Sequence, residues 1–364
     1  MKQNNQNQII YFFPYPQIGG VEKNFLIISN YISTLFKKTY LITGNKIDYK
    51  VDKKIELITT SNFWSIINRR LFFIICAFKL YLICIKLKKS IIFSFQGNFY
   101  AIIVSILLKR KIIIRSNLSP DGWKASGFKK KIFKFLLSKS DLIIVNSNDF
   151  KKQMKKDFKI NPTTIFNPIN SKEIKKLSIY KSKIKLFTNK TINMINVGRL
   201  VKQKNQIEIL HALVKLKESI KNYRLLLVGD GPDKLYLQNF INKNKLRKFV
   251  QIIFVKNPYK FIKMSDVFIL SSKFEGLPNV LLEAACLNKY IISSNCKTGP
   301  KEIIKEYKYG KLYKTGNSKK LYIELKQLNK NKLSSNTKNF SLNLTAFDAK
   351  KNLEKYSNAI KKLL

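Results

Sequence analysis

Residues 265–287 of the chain read SDVFILSSKFEGLPNVLLEAACL, and this stretch contains the unit from which the fold can be inferred. The short apolar run Asp266–Leu270 predicts a strand that is buried on both faces. Gly276 and Pro278 mark a loop, and the apolar residues that begin at Glu283 predict a helix. A buried strand joined to a helix by a loop is the repeating unit of a parallel sheet.

Such units recur in two series along the chain. The first series has predicted strands at Ile9–Phe13, Thr39–Thr43, Ile55–Thr59, Ser90–Ser94, Lys111–Arg115 and Asp141–Asn146, and predicted helices at Glu22–Leu35, Phe63–Lys88, Phe99–Leu108 and Lys129–Ser138. The second has predicted strands at Ile192–Val197, Arg224–Val228, Val250–Phe254, Asp266–Leu270 and Tyr290–Ser293. The alternation predicts an α/β protein with two Rossmann-like, doubly wound parallel-sheet domains that face each other across a cleft.

The length of the chain favours the same division. A chain of 364 residues exceeds what a single core usually supports. We expect a first domain at 1–170, a Lys-rich linker at 171–190 and a second domain at 191–345. A helix at 346–364 is long enough to cross back and pack on the first domain.

The net charge of the chain is +49, from 70 Lys and Arg against 21 Asp and Glu that are spread along its whole length. A polycation attracts anionic membranes and nucleic acids alike, so the charge alone does not choose between them. The sequence has no zinc-finger, helix-turn-helix or RNA-binding signature. A nucleic-acid-binding protein is therefore the weaker hypothesis, and no specific nucleic acid is expected as a partner.

Cysteine and histidine usage excludes several kinds of site. The four cysteines form no Cys-x-x-Cys pair, which indicates buried thiols in a reducing compartment. His211 is the single histidine, which excludes a cluster of histidine ligands, and it lies in a helix-like stretch where a structural role is more usual than a catalytic one, so we expect no Ser-His-Asp triad. The chain starts without a secretory signal, and Lys79 interrupts the apolar stretch Leu71–Leu87. We expect a cytoplasmic protein in which this stretch is a buried helix.

Candidate ligand-binding residues follow the predicted strands, at the edge where open parallel sheets bind ligands. Gly19 and Gly20 precede the first helix, where backbone amides can approach an anion. Gly198 ends a strand, and Arg199 and Lys204 then offer two cations that can balance a diphosphate without a metal ion.

Acidic residues complete this set. Asp230 lies in a Gly-Asp-Gly-Pro turn, where it either caps a helix, the simpler interpretation, or lines a nucleotide pocket. Glu275 adjoins Gly276 in a loop, and Glu283, about two helical turns further on, is placed to accept hydrogen bonds from paired hydroxyls. Two acids and two bases suit a ligand that is anionic and rich in hydroxyls, such as a nucleotide sugar.

The chain resembles the retaining glycosyltransferases of the GT-B fold, specifically family 4, over nearly its whole length. Four motifs in order carry the resemblance: Gly19–Lys23, Val197–Lys204, the acidic pair Glu275 and Glu283 with Gly276, Pro278 and Asn279 between them, and Thr298–Ile304. The first domain would bind the acceptor and the second domain the nucleotide sugar.

The resemblance implies transfer of a hexose or N-acetylhexosamine from a UDP-sugar to a glycan or lipid-linked acceptor, without an essential metal or other cofactor. The donor-binding set that it implies is Gly198, Arg199, Lys204, Asp230, Glu275, Gly276, Leu277, Pro278, Asn279 and Glu283. In this set Arg199 and Lys204 hold the diphosphate, Glu275 contacts the sugar and Glu283 the ribose. The implied setting is assembly of bacterial surface polysaccharide, lipopolysaccharide or lipid-linked oligosaccharide.

Three questions stay open. Many members of the family carry a His or Asp after a first-domain strand, where this chain offers Ser116, Asn117 and Asp121, so the acceptor-activating base is not identified. Residues 123–139 interleave aromatic and aliphatic residues with Lys, which suits either a helix on an anionic membrane at the cytoplasmic face of the inner membrane or an ordinary amphipathic core helix. A nucleotide-sugar epimerase of GT-B fold is the alternative function, and the oligomeric state is unknown.

Overall fold

The computed structural model describes residues 8–16, 19–44, 51–60, 68–117, 127–179, 186–219, 222–334 and 340–364. The chain divides into two compact units, Met1–Pro168 with Ala349–Leu364, and Ile169–Asp348. Each unit contains one parallel sheet, which confirms the predicted α/β class with two doubly wound sheets.

The first unit has seven strands in the order β3-β2-β1-β4-β5-β6-β7, and all neighbours are parallel. Its strands are β1 (Gln8–Phe12), β2 (Lys38–Thr43), β3 (Ile55–Thr59), β4 (Ser90–Ser94), β5 (Ile112–Ser116), β6 (Leu142–Val145) and β7 (Thr163–Thr164). Its helices are α1 (Gly20–Ser33), α2 (Arg69–Lys86), α3 (Asn98–Leu108), α4 (Gly127–Ser138), α5 (Asn148–Phe158) and the last helix of the chain, α14 (Ala349–Lys361).

Alternate residues of β1 enter two different cores. Ile10 and Phe12 pack in the core that contains residues of α2 and α3, whereas Ile9 and Tyr11 pack in the core that contains residues of α1 and α14. Successive side chains of a strand point to opposite faces of a sheet, so both faces of this strand are covered. Coverage on both faces is the reason that the strand is an uninterrupted apolar run.

The C-terminal helix α14 is bound to the first unit by a buried polar contact. Arg115 at the end of β5 is fully buried, and its Nε donates a hydrogen bond of 2.7 Å to the Tyr356 hydroxyl on α14. The guanidinium also donates to Asn167 Oδ1 at 2.5 Å. A buried guanidinium requires such partners, so Arg115 connects α14 to the strand and to the last residues before the second unit.

The second unit has six strands in the order β10-β9-β8-β11-β12-β13, and all neighbours are parallel. Its strands are β8 (Ile192–Val197), β9 (Tyr223–Val228), β10 (Val250–Ile253), β11 (Val267–Leu270), β12 (Tyr290–Ser294) and β13 (Gly310–Tyr313). Its helices are α6 (Ser171–Leu177), α7 (Gln206–Ser219), α8 (Lys234–Lys243), α9 (Tyr259–Met264), α10 (Asn279–Cys286), α11 (Pro300–Tyr307), α12 (Ser318–Lys326) and α13 (Lys330–Ser334), and a 3-10 segment spans Phe340–Phe347.

The segment that we expected to be a linker contains helix α6. The Asn170 side chain caps this helix by accepting a hydrogen bond of 3.2 Å from the Glu173 amide, and Ile174 is buried. Ser171 Oγ lies 3.1 Å from Cys286 Sγ on α10, so the helix packs within the second unit. The sequence of this helix is rich in Lys and has a single buried apolar residue, so it shows no apolar stripe from which a helix could be predicted.

The start of one helix and the presence of one strand also differ from the sequence expectation. Helix α10 begins at Asn279, directly after Pro278, so Glu283 lies inside the helix and does not open it. The edge strand β13 was not predicted, because its four residues include an exposed Lys and a Gly. The helix expected at Phe63–Lys88 is observed as α2, and residues 63–67 lie outside the described ranges.

Lys79 reaches out of the apolar helix α2. Its Nζ donates a hydrogen bond of 2.7 Å to the Thr59 carbonyl at an exposed position. None of the helices in the described ranges has both the length and the apolar character that a membrane span requires.

Tyr356→Phe should destabilise the first unit by about 1–3 kcal/mol, because it leaves the buried Arg115 Nε without its acceptor while it keeps the ring in place. The shift of the urea unfolding midpoint measures this effect. Tyr236→Phe, at a side chain that is 57% exposed, is the control and should not shift the midpoint. Equal midpoints for the two variants would refute the role of the Arg115–Tyr356 contact.

Candidate active site

The candidate site lies at the carboxyl edge of the second sheet, where β8 neighbours both β9 and β11. The strand order changes direction between β8 and β11, and open parallel sheets bind ligands at such a switch point. Four loops meet at this edge, and they follow β8, β9, β11 and β12. Most of the predicted donor-binding residues lie in these loops.

Lys204 and Glu275 form an ion pair that joins the loop after β8 to the loop after β11. The distance from Lys204 Nζ to Glu275 Oε1 is 2.5 Å, and the side chains are 18% and 9% exposed. Partial burial strengthens such a pair relative to one in open solvent. The structure therefore brings together the cation and the first acid that the sequence placed 71 residues apart.

Hydrogen bonds to backbone carbonyls connect these two loops to each other. Ser271 Oγ donates a hydrogen bond of 2.8 Å to the Lys204 carbonyl. Gln203 Nε2 donates to the Phe274 carbonyl at 2.9 Å, and the Lys273 amide donates to the Gln203 carbonyl at 2.8 Å. The backbone of Lys204 is therefore held between these contacts, and its side chain starts from a fixed position.

Glu208 is a supporting residue that the sequence analysis missed. It is 4% exposed at the beginning of α7, and its carboxylate accepts a hydrogen bond from the Asn205 side chain. Asn205 has φ 53° and follows Lys204 directly. Burial raises the pKa of Glu208, while hydrogen bonds from Tyr313 and from the Gly316 amide oppose the rise. Only its place inside an otherwise apolar helix face hinted at this role.

The loop that carries Glu275 is fixed from its other side by the loop after β12. Thr298 Oγ1 donates a hydrogen bond of 2.6 Å to the Glu275 carbonyl. A Cβ added to Gly299 would lie 2.2 Å from the Gly276 carbonyl oxygen, and φ at Gly299 is 89°. Only glycine suits this position, so Gly276 and Leu277 are held by backbone packing.

Glu283 is placed differently from Glu275. It is 2% exposed, lies inside α10, and accepts a hydrogen bond of 3.1 Å from the Tyr259 hydroxyl on α9. Asn279 at the start of α10 is also buried. The hydrogen bond from Tyr259 therefore connects Glu283 to α9.

Arg199 and Asp230 lie at the rim of the site. Arg199 is exposed, and its carbonyl accepts a hydrogen bond of 3.0 Å from Gln206 Nε2. Asp230 forms an exposed ion pair of 3.3 Å with Lys234. The simpler interpretation of Asp230 as a helix cap was wrong, because the residue at the N-cap of α8 is Asp233, whose side chain makes no capping hydrogen bond.

The turn around Asp230 packs its backbone against the loop that follows Gly198. A Cβ added to Gly229 would lie 1.9 Å from the Gly198 carbonyl oxygen. The Leu200 amide donates a hydrogen bond of 2.9 Å to the Asp230 carbonyl. The Gly-Asp-Gly-Pro sequence thus serves the close approach of two backbones.

Cys296 lies close enough to this site to be influenced by the charges of Glu275 and Lys204. Burial, together with the nearby Glu275 carboxylate, raises the pKa of Cys296 to about 12. The thiol is therefore protonated at neutral pH and is not a nucleophile. Within the residues that the structure describes, no group of three His, Cys, Asp or Glu side chains is arranged to hold a metal ion.

The predicted acceptor-side residues belong to the first unit. Gly19 is the N-cap of α1, and its carbonyl accepts a hydrogen bond of 3.1 Å from the Lys23 amide. Gly20 begins that helix. Asn117 Nδ2 donates a hydrogen bond of 2.9 Å to the Phe95 carbonyl, and Asp121 lies outside the described residues.

Residues 180–341 match the family described as Glycosyl transferases group 1. An uncharacterized glycosyltransferase of Methanocaldococcus jannaschii is 32% identical over 247 residues, which are 62% of this chain and 61% of that protein. The N-acetylgalactosamine-N,N'-diacetylbacillosaminyl-diphospho-undecaprenol 4-alpha-N-acetylgalactosaminyltransferase of Campylobacter jejuni is 26% identical over 330 residues, which are 85% of this chain and 87% of that protein.

Solved structures share the fold of the chain. The crystal structure of Anabaena HepE in complex with UDP has a TM-score of 0.73 and 16% sequence identity, and the match covers 98% of this chain and 100% of that one. A similarity at this level of identity establishes the fold alone.

For the UDP-sugar donor expected from the sequence, Gly229→Ala should lower the affinity for UDP by more than about tenfold, because the new Cβ displaces the backbone that positions Arg199 and Lys204. Isothermal titration with UDP measures the loss, and circular dichroism checks that the variant is folded. Gly127→Ala in the first unit is the control, because a Cβ there meets no atom within 4 Å, at a φ of 51°. Equal affinities of the two variants would show that the approach to Gly198 does not matter for binding.

Proposed function

We propose that this chain is a glycosyltransferase of the GT-B fold that transfers a hexose or N-acetylhexosamine from a UDP-sugar to a glycan or lipid-linked acceptor with retention of anomeric configuration. The match of residues 180–341 to the group 1 family and the shared fold support the proposal. The Lys204–Glu275 pair is the observation that carries the proposal. It places a cation for a diphosphate beside a carboxylate for sugar hydroxyls, at the ligand-binding edge of the sheet.

In this proposal the two cations stabilise the leaving UDP. Lys204 moves from Glu275 toward the diphosphate, and Arg199 reaches it from the exposed rim. As the bond from sugar to phosphate breaks, negative charge grows on the diphosphate, and fixed cations lower the barrier at that moment. Two cations on one diphosphate also support the expectation that no metal ion or other cofactor is needed.

Glu275 then becomes available to the sugar. A carboxylate released from its ion pair can accept hydrogen bonds from hydroxyl groups. Glu283 keeps the proposed role toward the ribose hydroxyls, and its hydrogen bond from Tyr259 orients the carboxylate. Gly276, Leu277, Pro278 and Asn279 complete the donor pocket.

The proposed setting is assembly of a bacterial surface polysaccharide or lipid-linked oligosaccharide at the cytoplasmic face of the inner membrane. The Campylobacter relative, which by its name acts on a diphospho-undecaprenol-linked sugar, supports a lipid-linked acceptor. The Anabaena structure holds UDP, which supports a uridine nucleotide.

Helix α4 supports contact with an anionic membrane. Phe128 and Phe135 are 76% and 59% exposed, and Lys129, Lys130 and Lys139 lie over aromatic rings of the same region. Exposed aromatic residues beside lysines suit a helix in the headgroup layer of an anionic bilayer. An ordinary core helix would bury these rings, so their exposure favours the membrane interpretation.

Lys204→Met should lower kcat/KM for transfer from the UDP-sugar by about 10²–10³-fold, because the leaving diphosphate loses its partly buried cation. Lys202→Met is the matched control, since Lys202 is exposed in the same loop, and it should change kcat/KM by less than about twofold. UDP release with and without acceptor is the assay, and product analysis separates transfer from epimerisation. Wild-type activity of Lys204→Met would refute the proposed donor site.

Glu275→Gln combined with Lys204→Met should cost less than the sum of the two single changes, because the residues act as one pair. A double-mutant cycle on kcat/KM measures the coupling. Additive losses would indicate that the two side chains act independently.

Replacing Phe128 and Phe135 of α4 by Ser should weaken binding to phosphatidylglycerol vesicles by at least about tenfold, because two exposed apolar anchors are lost. Vesicle co-sedimentation measures the binding. Phe254→Ser, at a side chain that is 55% exposed in the second unit, is the control and should leave binding unchanged. Unchanged binding of the α4 variant would contradict membrane contact through this helix.

A further inference from the structure

An open cavity of about 570 Å³ lies in the first unit at the N-terminal end of α2. It is lined by Asn68, Arg69, Arg70, Phe73, Gly97 and Tyr100. Gly97 follows β4, and a helix in a doubly wound unit runs antiparallel to its strands. The cavity is therefore at the carboxyl edge of the first sheet, where a ligand of this unit is expected.

Two guanidinium groups give the cavity its charge. The Arg69 guanidinium lies 5.2 Å from the centre of the Tyr15 ring and 5.8 Å from that of Phe73, so two aromatic faces hold it in place. The Phe73 and Tyr100 rings stack at 5.6 Å and form an apolar wall. Among the described residues, neither Arg69 nor Arg70 forms an ion pair with a carboxylate.

The helix end itself is not the anion-binding group. The Asn68 side chain accepts hydrogen bonds from the amides of Arg70 at 2.8 Å and Leu71 at 3.4 Å. These amides are therefore occupied by a cap. Binding of an anion in the cavity depends on the two guanidinium groups.

The surrounding sequence favours an anionic ligand. Between positions 57 and 140 the chain has sixteen Lys and Arg but a single acid, Asp121. A phosphate that approaches the cavity therefore meets little repulsion from this part of the sequence. Guanidinium groups match the oxygen geometry of a phosphate, and two of them can share the charge of a phosphate or diphosphate.

An apolar surface begins at the cavity and follows α2. It consists of Leu71, Ile74, Phe78, Leu82 and Ile85, which are 38%, 52%, 60%, 43% and 46% exposed. Their spacing of three or four residues places them in one line along the helix. An apolar chain attached to a phosphate in the cavity would lie along this line and cover it.

We propose that the cavity binds the phosphate or diphosphate of a lipid-linked acceptor, with Arg69 and Arg70 on the phosphate and the apolar line of α2 against the lipid chain. This assignment rests on the proposed function and deepens it, because it names the acceptor as a phosphate-bearing lipid. A water-soluble glycan acceptor would need neither the guanidinium pair nor the apolar line.

Titration of the full chain with farnesyl diphosphate, farnesol and inorganic pyrophosphate at one fixed salt concentration tests the proposal. Replacing Arg69 and Arg70 by Gln should weaken farnesyl diphosphate binding by at least about tenfold, because charge-assisted hydrogen bonds are lost. Replacing Lys152 and Lys156 by Gln on α5 removes the same charge at exposed positions and should have less than about a twofold effect.

The apolar line is tested separately. Replacing Ile74 and Phe78 by Ser should weaken binding of farnesyl diphosphate and leave that of inorganic pyrophosphate unchanged. Farnesol should bind far more weakly than its diphosphate. The proposal is wrong if the Arg69 and Arg70 variant matches its lysine control, or if pyrophosphate or farnesol binds as tightly as farnesyl diphosphate.

Two further measurements separate acceptor binding from membrane adsorption and from donor binding. Phosphatidylglycerol vesicles report bulk headgroup binding, and a loss of vesicle binding on Arg69 and Arg70 replacement without loss of farnesyl diphosphate binding would overturn the acceptor assignment. UDP binding should be unchanged in every variant. Failure of the wild type to bind UDP would refute the donor proposal, whereas the lipid-phosphate site is judged by farnesyl diphosphate binding alone.

Discussion

The candidate site of the second unit depends on the ion pair between Lys204 and Glu275. The pair spans the switch point of the sheet, because Lys204 follows β8 and Glu275 follows β11. Each charge satisfies the other at low exposure, where an isolated charge would be costly. The pair therefore lets the loops adopt a binding geometry before any ligand arrives. In the proposed function, a diphosphate competes with Glu275 for the Lys204 ammonium group.

Preorganisation of this kind requires a rigid backbone beneath the charges. Hydrogen bonds from Ser271 and Thr298 fix the carbonyls of Lys204 and Glu275, and the carboxylate of Glu208 fixes the next residue, Asn205. These supporting contacts use neither the Lys204 ammonium nor the Glu275 carboxylate, so both charged groups stay available to a ligand. In the proposed function, these contacts keep the two side chains close to the geometry that the transition state needs, which is where fixed groups contribute most to rate.

The sequence predicted the strands well because buried parallel strands are continuous apolar runs, as in Ile192–Val197, whose observed bounds are those expected. The sequence also predicted the loops that carry Lys204 and Glu275, because Gly198 follows the first of the two strands, and Gly276 and Pro278 follow the second. Helix α6 was missed because its Lys-rich sequence has little apolar pattern, although Asn170 and Glu173 have the spacing of a helix cap. The burial of Glu283 was missed because helix α10 begins four residues earlier than expected.

Charge distribution carries more information than net charge in this chain. At a net charge of +49 each acid reduces the repulsion among the cations, but an exposed acid interacts only weakly with any one neighbour. Burying a carboxylate is costly unless it is hydrogen-bonded or paired, so each buried carboxylate is expected to have a partner in the structure. The carboxylates buried among the described residues are Glu22, Glu208, Glu275 and Glu283. Glu275 pairs with the cation of the proposed donor site, Glu208 holds the loop of that cation, and Glu283 lies on the helix that follows.

The sequence between positions 57 and 140 has many cations and almost no acids. Arg69 and Arg70 therefore have few carboxylates of this part of the sequence to pair with, and they are available to an anion from outside the chain.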